Sequence, residues 1–132
     1  LHALEDMCSN ISAAKQLQVK LQSYGMEQRM NASTEIMLYR IVQELLTNII
    51  KHAQATQAIV QFNREEDRLT VTVEDNGRGF NLKESDDKKH KGLETIKSRV
   101  NYLNGQISID SETEVGTTVL MEFLINEDPE IF

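Results

Sequence analysis

The chain has 132 residues, 39% of them hydrophobic and 27% charged, which suits one compact domain large enough for a core of its own. A net charge of −7, from 21 acidic and 14 basic residues, excludes the basic stripe that a duplex nucleic-acid surface needs to displace counterions, so no nucleic-acid partner is expected. A single cysteine, Cys8, excludes an internal disulfide framework, three scattered histidines do not make a zinc cluster, and no apolar run approaches the ~20 residues of a membrane span.

The chain opens on Leu1 rather than Met and carries no signal-peptide pattern, so residues 1–132 are read as one cytoplasmic domain cut from a longer protein. Residues 1–14 read as a helix. Leu17, Val19 and Leu21 alternate with Gln18, Lys20 and Gln22, the period of a half-buried strand, which Tyr24-Gly25 closes. A long helix follows over 34–53. There Leu38, Ile41, Val42, Leu45, Leu46, Ile49, Ile50 and Ala53 form one broad apolar stripe, with Asn31 or Ser33 available as a cap. Arg40, Glu44, Asn48 and Lys51 line a separate polar face.

Residues 58–62 and 69–73 read as paired strands around the charged turn 64–68, with Leu69, Val71 and Val73 facing inward and Asp75 continuing that parity. Segment 81–91 is polar and has no apolar period, which predicts a mobile loop. Gly92 then opens a helix carrying Leu93, Ile96, Val100 and Leu103, ended by Asn104-Gly105 as a left-handed cap. Ile107 and Ile109 alternate in the next strand and Gly116 marks the turn. Val119, Met121, Phe123 and Ile125 fill the inward face of the last strand, and Thr117 shares their parity.

An inward carboxylate at the end of an apolar strand is costly unless hydrogen bonds reach it, so Asp75 implies a buried donor. An adenine amine would serve, and a plain Asp-Asn-Gly turn is the alternative. Thr117 could complete a polar floor through water. Gly77 and Gly79 would let the backbone approach a flat base or a phosphate. Glu44 and Asn48, four residues apart on one helical face, could meet a single Mg²⁺-phosphate cluster. Mg²⁺ takes oxygen ligands and is held by few protein groups plus substrate phosphates, which suits the Asn48 carbonyl oxygen. Glu44 is left to orient or deprotonate an attacking hydroxyl, water or imidazole. Lys51 and His52 could contact phosphate oxygens, or simply answer the negative end of the helix dipole.

Taken in order, these segments carry a resemblance. Tyr39-Arg40-Ile41-Val42-Gln43-Glu44-Leu45-Leu46-Thr47-Asn48-Ile49-Ile50-Lys51-His52-Ala53 resembles the N box of sensor histidine kinases of the nitrate-sensor and cell-envelope-sensor type. Asp75-Asn76-Gly77-Arg78-Gly79-Phe80 resembles their G1 box. The run from Lys91-Gly92-Leu93 to Asn104-Gly105 resembles their G2 box and the helix after it, and Gly116-Thr117-Thr118 their last glycine-threonine element. The resemblance covers nearly the whole chain, and the ordered combination is far more specific than any piece.

What the resemblance implies is the Bergerat ATP-binding fold of gyrase B, the heat-shock chaperone, histidine kinases and MutL. This is an α+β two-layer sandwich, with a mixed, mostly antiparallel sheet of about five strands covered on one face by about three helices. ATP and Mg²⁺ are the implied cofactors. Asn48 would bind Mg²⁺, Glu44 would act in catalysis, Asp75 would contact the adenine amine and Thr117 would join it through water. Gly77, Gly79, Phe80, Gly92 and Leu93 would shape the pocket, Lys51 and His52 would lie by the phosphates, and 81–91 would be the ATP lid. The implied partners are a dimerisation and phosphoacceptor helical domain upstream in the same protein and a response regulator downstream. Two departures stand out: His90 occupies a position where the family usually has glycine, and no segment resembles the phosphoacceptor helix. The isolated chain is therefore expected to bind nucleotide and phosphorylate nothing. Two alternatives stay open, a nucleotide-binding regulatory or interaction module without turnover, and another ATPase or serine kinase of the same superfamily.

Overall fold

The computed structural model describes residues 2–14, 16–27, 30–78 and 87–125, the last stretch in its side chains from position 93. Gly79, Phe80 and positions 81–86 of the expected lid lie outside the described residues. The first helix, α1, spans His2–Ala13 and presses Leu4 and Cys8 into the core. Strand β1 follows at Gln18–Tyr24, and its lead-in residue Leu17 is already buried. Helix α2 spans Ala32–Asn48 and is capped by Asn31, whose Oδ1 accepts from the Ser33 amide at 2.8 Å. Of the two caps expected, Asn31 accepts and Ser33 donates. Glu35 reaches back to accept from the Met30 amide at 3.2 Å, holding the chain where it enters the helix.

Leu38, Ile41, Val42, Leu45 and Leu46 form the buried stripe of α2. Each contributes about 1.5–3 kcal/mol when fully removed from water. The helix does not run on to residue 53 as one regular cylinder. Ile49–Ala53 winds as a π-helix, and Gln54 ends it in the left-handed region at φ 52°. A π-turn has the same apolar composition as the α-helix it extends, so the hydrophobic stripe cannot reveal it.

Strands β2 (Gln57–Glu65) and β3 (Arg68–Asp75) form a hairpin. Helix α3 spans Asp87–Tyr102, so it opens five positions before Gly92 and claims 87–91, including position 90, from the expected loop. Its lysine-rich first turns have good helix propensity and no apolar period. Hydrophobic patterning locates only the part of a helix that packs. At the other end Asn104 takes the left-handed cap at φ 58°, and the Gly105 amide donates to the Val100 carbonyl at 2.9 Å. Strands β4 (Gln106–Glu112) and β5 (Gly116–Leu124) complete a sheet of order β1-β2-β3-β5-β4, in which only the β1–β2 pair is parallel.

This is the expected α+β two-layer arrangement. The strand registers stack its helix-facing side into rows, because alternate residues share a face. One row holds Leu21, Val60, Val73, Val119 and Ile109; the next holds Phe62, Val71, Met121 and Ile107. With the stripe of α2, and with Ile96 and Val100 of α3, they make one continuous core. Among the described residues no helix is long and apolar enough to cross a membrane.

Candidate functional site

A third row closes the inner face at one end, and there the chemistry changes. Ala58, Asp75, Thr117 and Ser111 lie side by side across β2, β3, β5 and β4. Asp75 is only 8% exposed. Its Oδ1 accepts from the Gly77 amide at 2.8 Å. Burial pushes its carboxyl group above the usual carboxylate range, the backbone amides of Gly77 and Thr117 draw it back, and the neighbouring Glu74 charge adds to the rise. Beside it, the Thr117 and Ser111 hydroxyls are 2.8 Å apart.

Asp75 and Thr117 floor a cavity of about 70 Å³, space for several water molecules. Leu45, Asn48, Ile49, His52 and Ala53 form one wall, from the last turns of α2 and the π-turn; Val73, Val119 and Leu93 form the rest. An apolar slot with a few convergent polar groups at its base is the usual form of a small-molecule site. The ionised carboxylate accepts only, so the floor selects a partner that donates.

Two flanking residues hold the floor in place. Asn76 locks β3 to the start of β2: its Oδ1 accepts from the amides of Thr56 and Gln57, both at 2.9 Å, and its Nδ2 donates to the Thr56 hydroxyl at 2.9 Å. Arg78 ties the π-turn to the floor, its amide donating to the Ala53 carbonyl at 2.8 Å and its Nε to the His52 carbonyl at 3.3 Å. The Arg78 carbonyl also accepts from the Glu114 amide at 2.6 Å, which brings in the β4–β5 turn. Gly77 sits inside this knot. A Cβ there would lie 2.5 Å from the Ala53 carbonyl oxygen and 2.8 Å from Asp75 Oδ1. The close approach seen at this glycine is to the chain's own π-turn. Gly116, at φ 141°, is likewise required, because a Cβ would run into the Asp75 carbonyl.

The structure thus brings together Asn48, His52, Asp75, Leu93 and Thr117 around one cavity. Gly77 lies beside it and Gly92 lies in the backbone of α3. Lys51 is exposed and does not line the cavity. Glu44 does not line it either: its Oε2 lies 3.2 Å from Nε of Arg99 on α3, an ion pair without hydrogen-bond geometry. Among the described residues no group of three or more His, Cys, Asp or Glu could hold a metal. Sequence reasoning missed the roles of Asn76, Arg78, Arg99 and Ser111. Only Ser111 carried a readable signal, since it continues the inward parity of Ile107 and Ile109.

Comparison with known proteins gives the same placement. Residues 33–127 match the family described as "Histidine kinase-, DNA gyrase B-, and HSP90-like ATPase". The chain is 36% identical over 98 residues to the signal transduction histidine-protein kinase/phosphatase DegS of Bacillus subtilis, covering 73% of this chain and 26% of that protein. It is 36% identical over 102 residues to the oxygen sensor histidine kinase NreB of Staphylococcus carnosus, covering 76% of this chain and 29% of that protein. The chain therefore spans about a quarter of the length of such relatives. In fold it is similar to the Acinetobacter baumannii histidine kinase AdeS, with a TM-score of 0.72 at 14% identity, over 95% of this chain and 62% of that one. A blue-light activated histidine kinase of Erythrobacter litoralis superposes with a TM-score of 0.71 at 22% identity, over 95% of this chain and 41% of that one. Residues 33–127, the stretch that matches, contain the acidic floor, the helix that walls the cavity and every other residue lining it, and the chain belongs to the histidine kinase-, DNA gyrase B- and HSP90-like ATPase family.

Proposed function

We propose that this chain is the ATP-binding catalytic domain of a sensor histidine kinase. It would hold Mg-ATP and present the γ-phosphate to an imidazole on a separate dimerisation and phosphoacceptor domain, from which a response regulator takes it. The observation that carries this reading is Asp75, a carboxylate buried at the floor of an apolar slot, with no lysine or arginine lining that slot among the described residues. Such a group is stabilised when a ligand brings a donor, and the exocyclic amine of adenine is a flat donor of that kind.

Each residue then has a task. Leu45, Ile49, Ala53, Val73 and Val119 exclude water from the faces of the base, and Thr117 orients its edge from beside Asp75. Asn48, on the wall leading out of the slot, offers a neutral oxygen. Magnesium suits this donor set, because it needs one or two protein oxygens and completes its octahedron with phosphates and water. When bound, the ion would draw charge from the phosphate oxygens. His52 lies on the same wall. Glu44 is one helical turn before Asn48, where it could orient the attacking imidazole once that domain docks. In the transfer the bond from the γ-phosphorus to the bridging oxygen of ADP breaks as the nitrogen–phosphorus bond forms, a step governed mainly by positioning and charge.

A second reading, a nucleotide-binding module without turnover, draws on one observation: the Glu44 carboxylate faces Arg99 rather than the cavity. Two measurements test the pair. Calorimetry with a non-hydrolysable ATP analogue, with and without Mg²⁺, should show adenine-selective binding that Asp75→Asn abolishes and a magnesium dependence that Asn48→Asp alters. A parent chain that binds no nucleotide would refute the ATP site. If it binds, the full-length protein should form phosphohistidine from labelled ATP, and binding without any phosphohistidine would establish the module instead.

A further inference from the structure

Glu44 shares a helical face with Asn48, one turn on, yet Asn48 lines the cavity and Glu44 does not. Its carboxylate is drawn instead to α3, where Oε2 lies 3.2 Å from Arg99 Nε. We infer that Arg99 is a positioning residue that sets the acceptor of phosphoryl transfer: by holding the Glu44 carboxylate off the cavity it denies a base to water, so that the γ-phosphate is kept for the imidazole of the docking domain. The inference rests on the Mg-ATP reading and on the task given there to Glu44, and goes beyond both in assigning the residue that decides between the two acceptors.

Reach is not what keeps Glu44 from the cavity. Residues one turn apart on a helix have their Cβ atoms about 5–6 Å apart, and helical side chains lean toward the N-terminus, so Asn48 leans over the turn that carries Glu44. A phosphate held beside Asn48 would be within range of a Glu44 carboxylate free to swing. What opposes the swing is charge. The Glu44 and Arg99 side chains are 34% and 29% exposed, but their facing atoms are shut off from water, and among the described residues neither atom has a hydrogen-bond partner. Opposite charges attract more strongly there than in open water, while no directed bond fixes the carboxylate. The pair thus holds Glu44 by charge and yields to a partner that offers the missing donor.

Hydrolysis and transfer differ in their nucleophile. In hydrolysis the water oxygen bonds to the γ-phosphorus as the bond to the bridging oxygen of ADP breaks, and a water proton passes to the base. A lone water brings almost no binding energy and cannot draw Glu44 from Arg99. A docking domain buries surface of its own, and binding remote from the reacting atoms can offset the cost of rearranging groups at the centre. Its imidazole N–H then gives the carboxylate a directed, charge-assisted hydrogen bond, which the Arg99 pair lacks. Glu44 is released when the proper acceptor has docked, and the nucleotide survives in the waiting domain.

The test is phosphate release from Mg-ATP by this chain alone. Arg99→Met, which removes the charge and keeps an apolar stem, should raise hydrolysis by about tenfold, part of the ~10²-fold that a fully positioned general base supplies. Arg99→Gln, a second neutral side chain, should do the same. Arg99→Lys should stay at the parent rate, because the pair uses charge and no directed bond. Adding Glu44→Gln to Arg99→Met should return hydrolysis to the parent rate. Calorimetry with a non-hydrolysable ATP analogue should find the parent and both neutral variants alike in affinity. Without nucleotide, a double-mutant cycle of Glu44→Gln and Arg99→Met in urea unfolding should be non-additive. A rise that survives Glu44→Gln would mean loosened packing rather than a freed base, and an additive cycle would mean that the pair does not form; each overturns the inference. A parent that does not bind the analogue sinks the ATP reading as well, whereas neutral variants that bind it with no rise in hydrolysis sink the inference alone.

Discussion

Two neighbouring rows of the inner sheet face, two residues apart on every strand, share one backbone and differ in chemistry. Val60, Val73, Val119 and Ile109 make the first; Ala58, Asp75, Thr117 and Ser111 make the second. The first belongs to the core, and its Val73 and Val119 also reach the cavity wall. The second lies where α2 gives way to the π-turn and a cavity opens in place of packed side chains. Folding favours the first row and resists the carboxylate in the second, so what stabilises this domain and what equips it for a ligand shift with position along the same strands and meet at Val73 and Val119.

Deleting from the packed side of that divide should have the largest effect. Phe62→Ala removes one of the largest fully buried side chains, one row further from the cavity, and should cost about 3–5 kcal/mol in urea unfolding. The molecules that remain folded should bind nucleotide as the parent does. An affinity loss in that folded fraction would show that the rows are coupled.

The brace between the rows should matter less. Asn76→Ala takes three hydrogen bonds from the junction of β2 and β3. They are exposed to water, which can replace them in part, so about 1–2 kcal/mol of stability is expected to go. Because Asn76 sets the start of the Gly77 turn, nucleotide affinity should fall with it; stability loss with unchanged affinity would separate the brace from the floor.

The smallest effect should have the opposite sign. The pKa of Asp75 is raised in the folded chain, chiefly by burial. Its contribution to stability is therefore fully present below the unfolded value of about 3.9 and is lost as pH rises through the folded value. At neutral pH the ligand-free protein carries that penalty. Asp75→Asn relieves it and keeps an oxygen for the Gly77 amide, so the variant should melt at or above the parent temperature at pH 7. The gap should narrow as both are titrated toward pH 4. A variant less stable than the parent at pH 7 would mean that the charge is satisfied without a ligand.

Much of this divide was readable in the chain. Period-two alternation placed Val71, Val73 and Asp75 on one face and Val119 and Thr117 on another strand's matching face, which is enough to put a carboxylate and a hydroxyl at one end of a core. The pairing of Asp75 with Thr117, and of Thr117 with Ser111, depends on register, and alternation within single strands does not fix register between them. Gly77 was legible as a glycine that something approaches closely. That the approaching group is the Ala53 carbonyl depends on the π-turn, which no composition marks. Residues 87–91 were misread because a polar helical turn and a polar loop look alike to a test for apolar period. Arg99 was invisible for a related reason: an arginine on a helix has many possible carboxylates within reach, and only tertiary packing selects Glu44.

Cys8, the one cysteine of the chain, is buried beneath α1, and burial pushes its thiol up from the ordinary cysteine range. A thiol that is both covered and protonated does not react with an alkylating reagent while α1 is seated. The rate at which it is alkylated thus counts the openings of that helix, so the domain carries its own clock for the motion of α1 against β1, readable by mass in the unaltered protein.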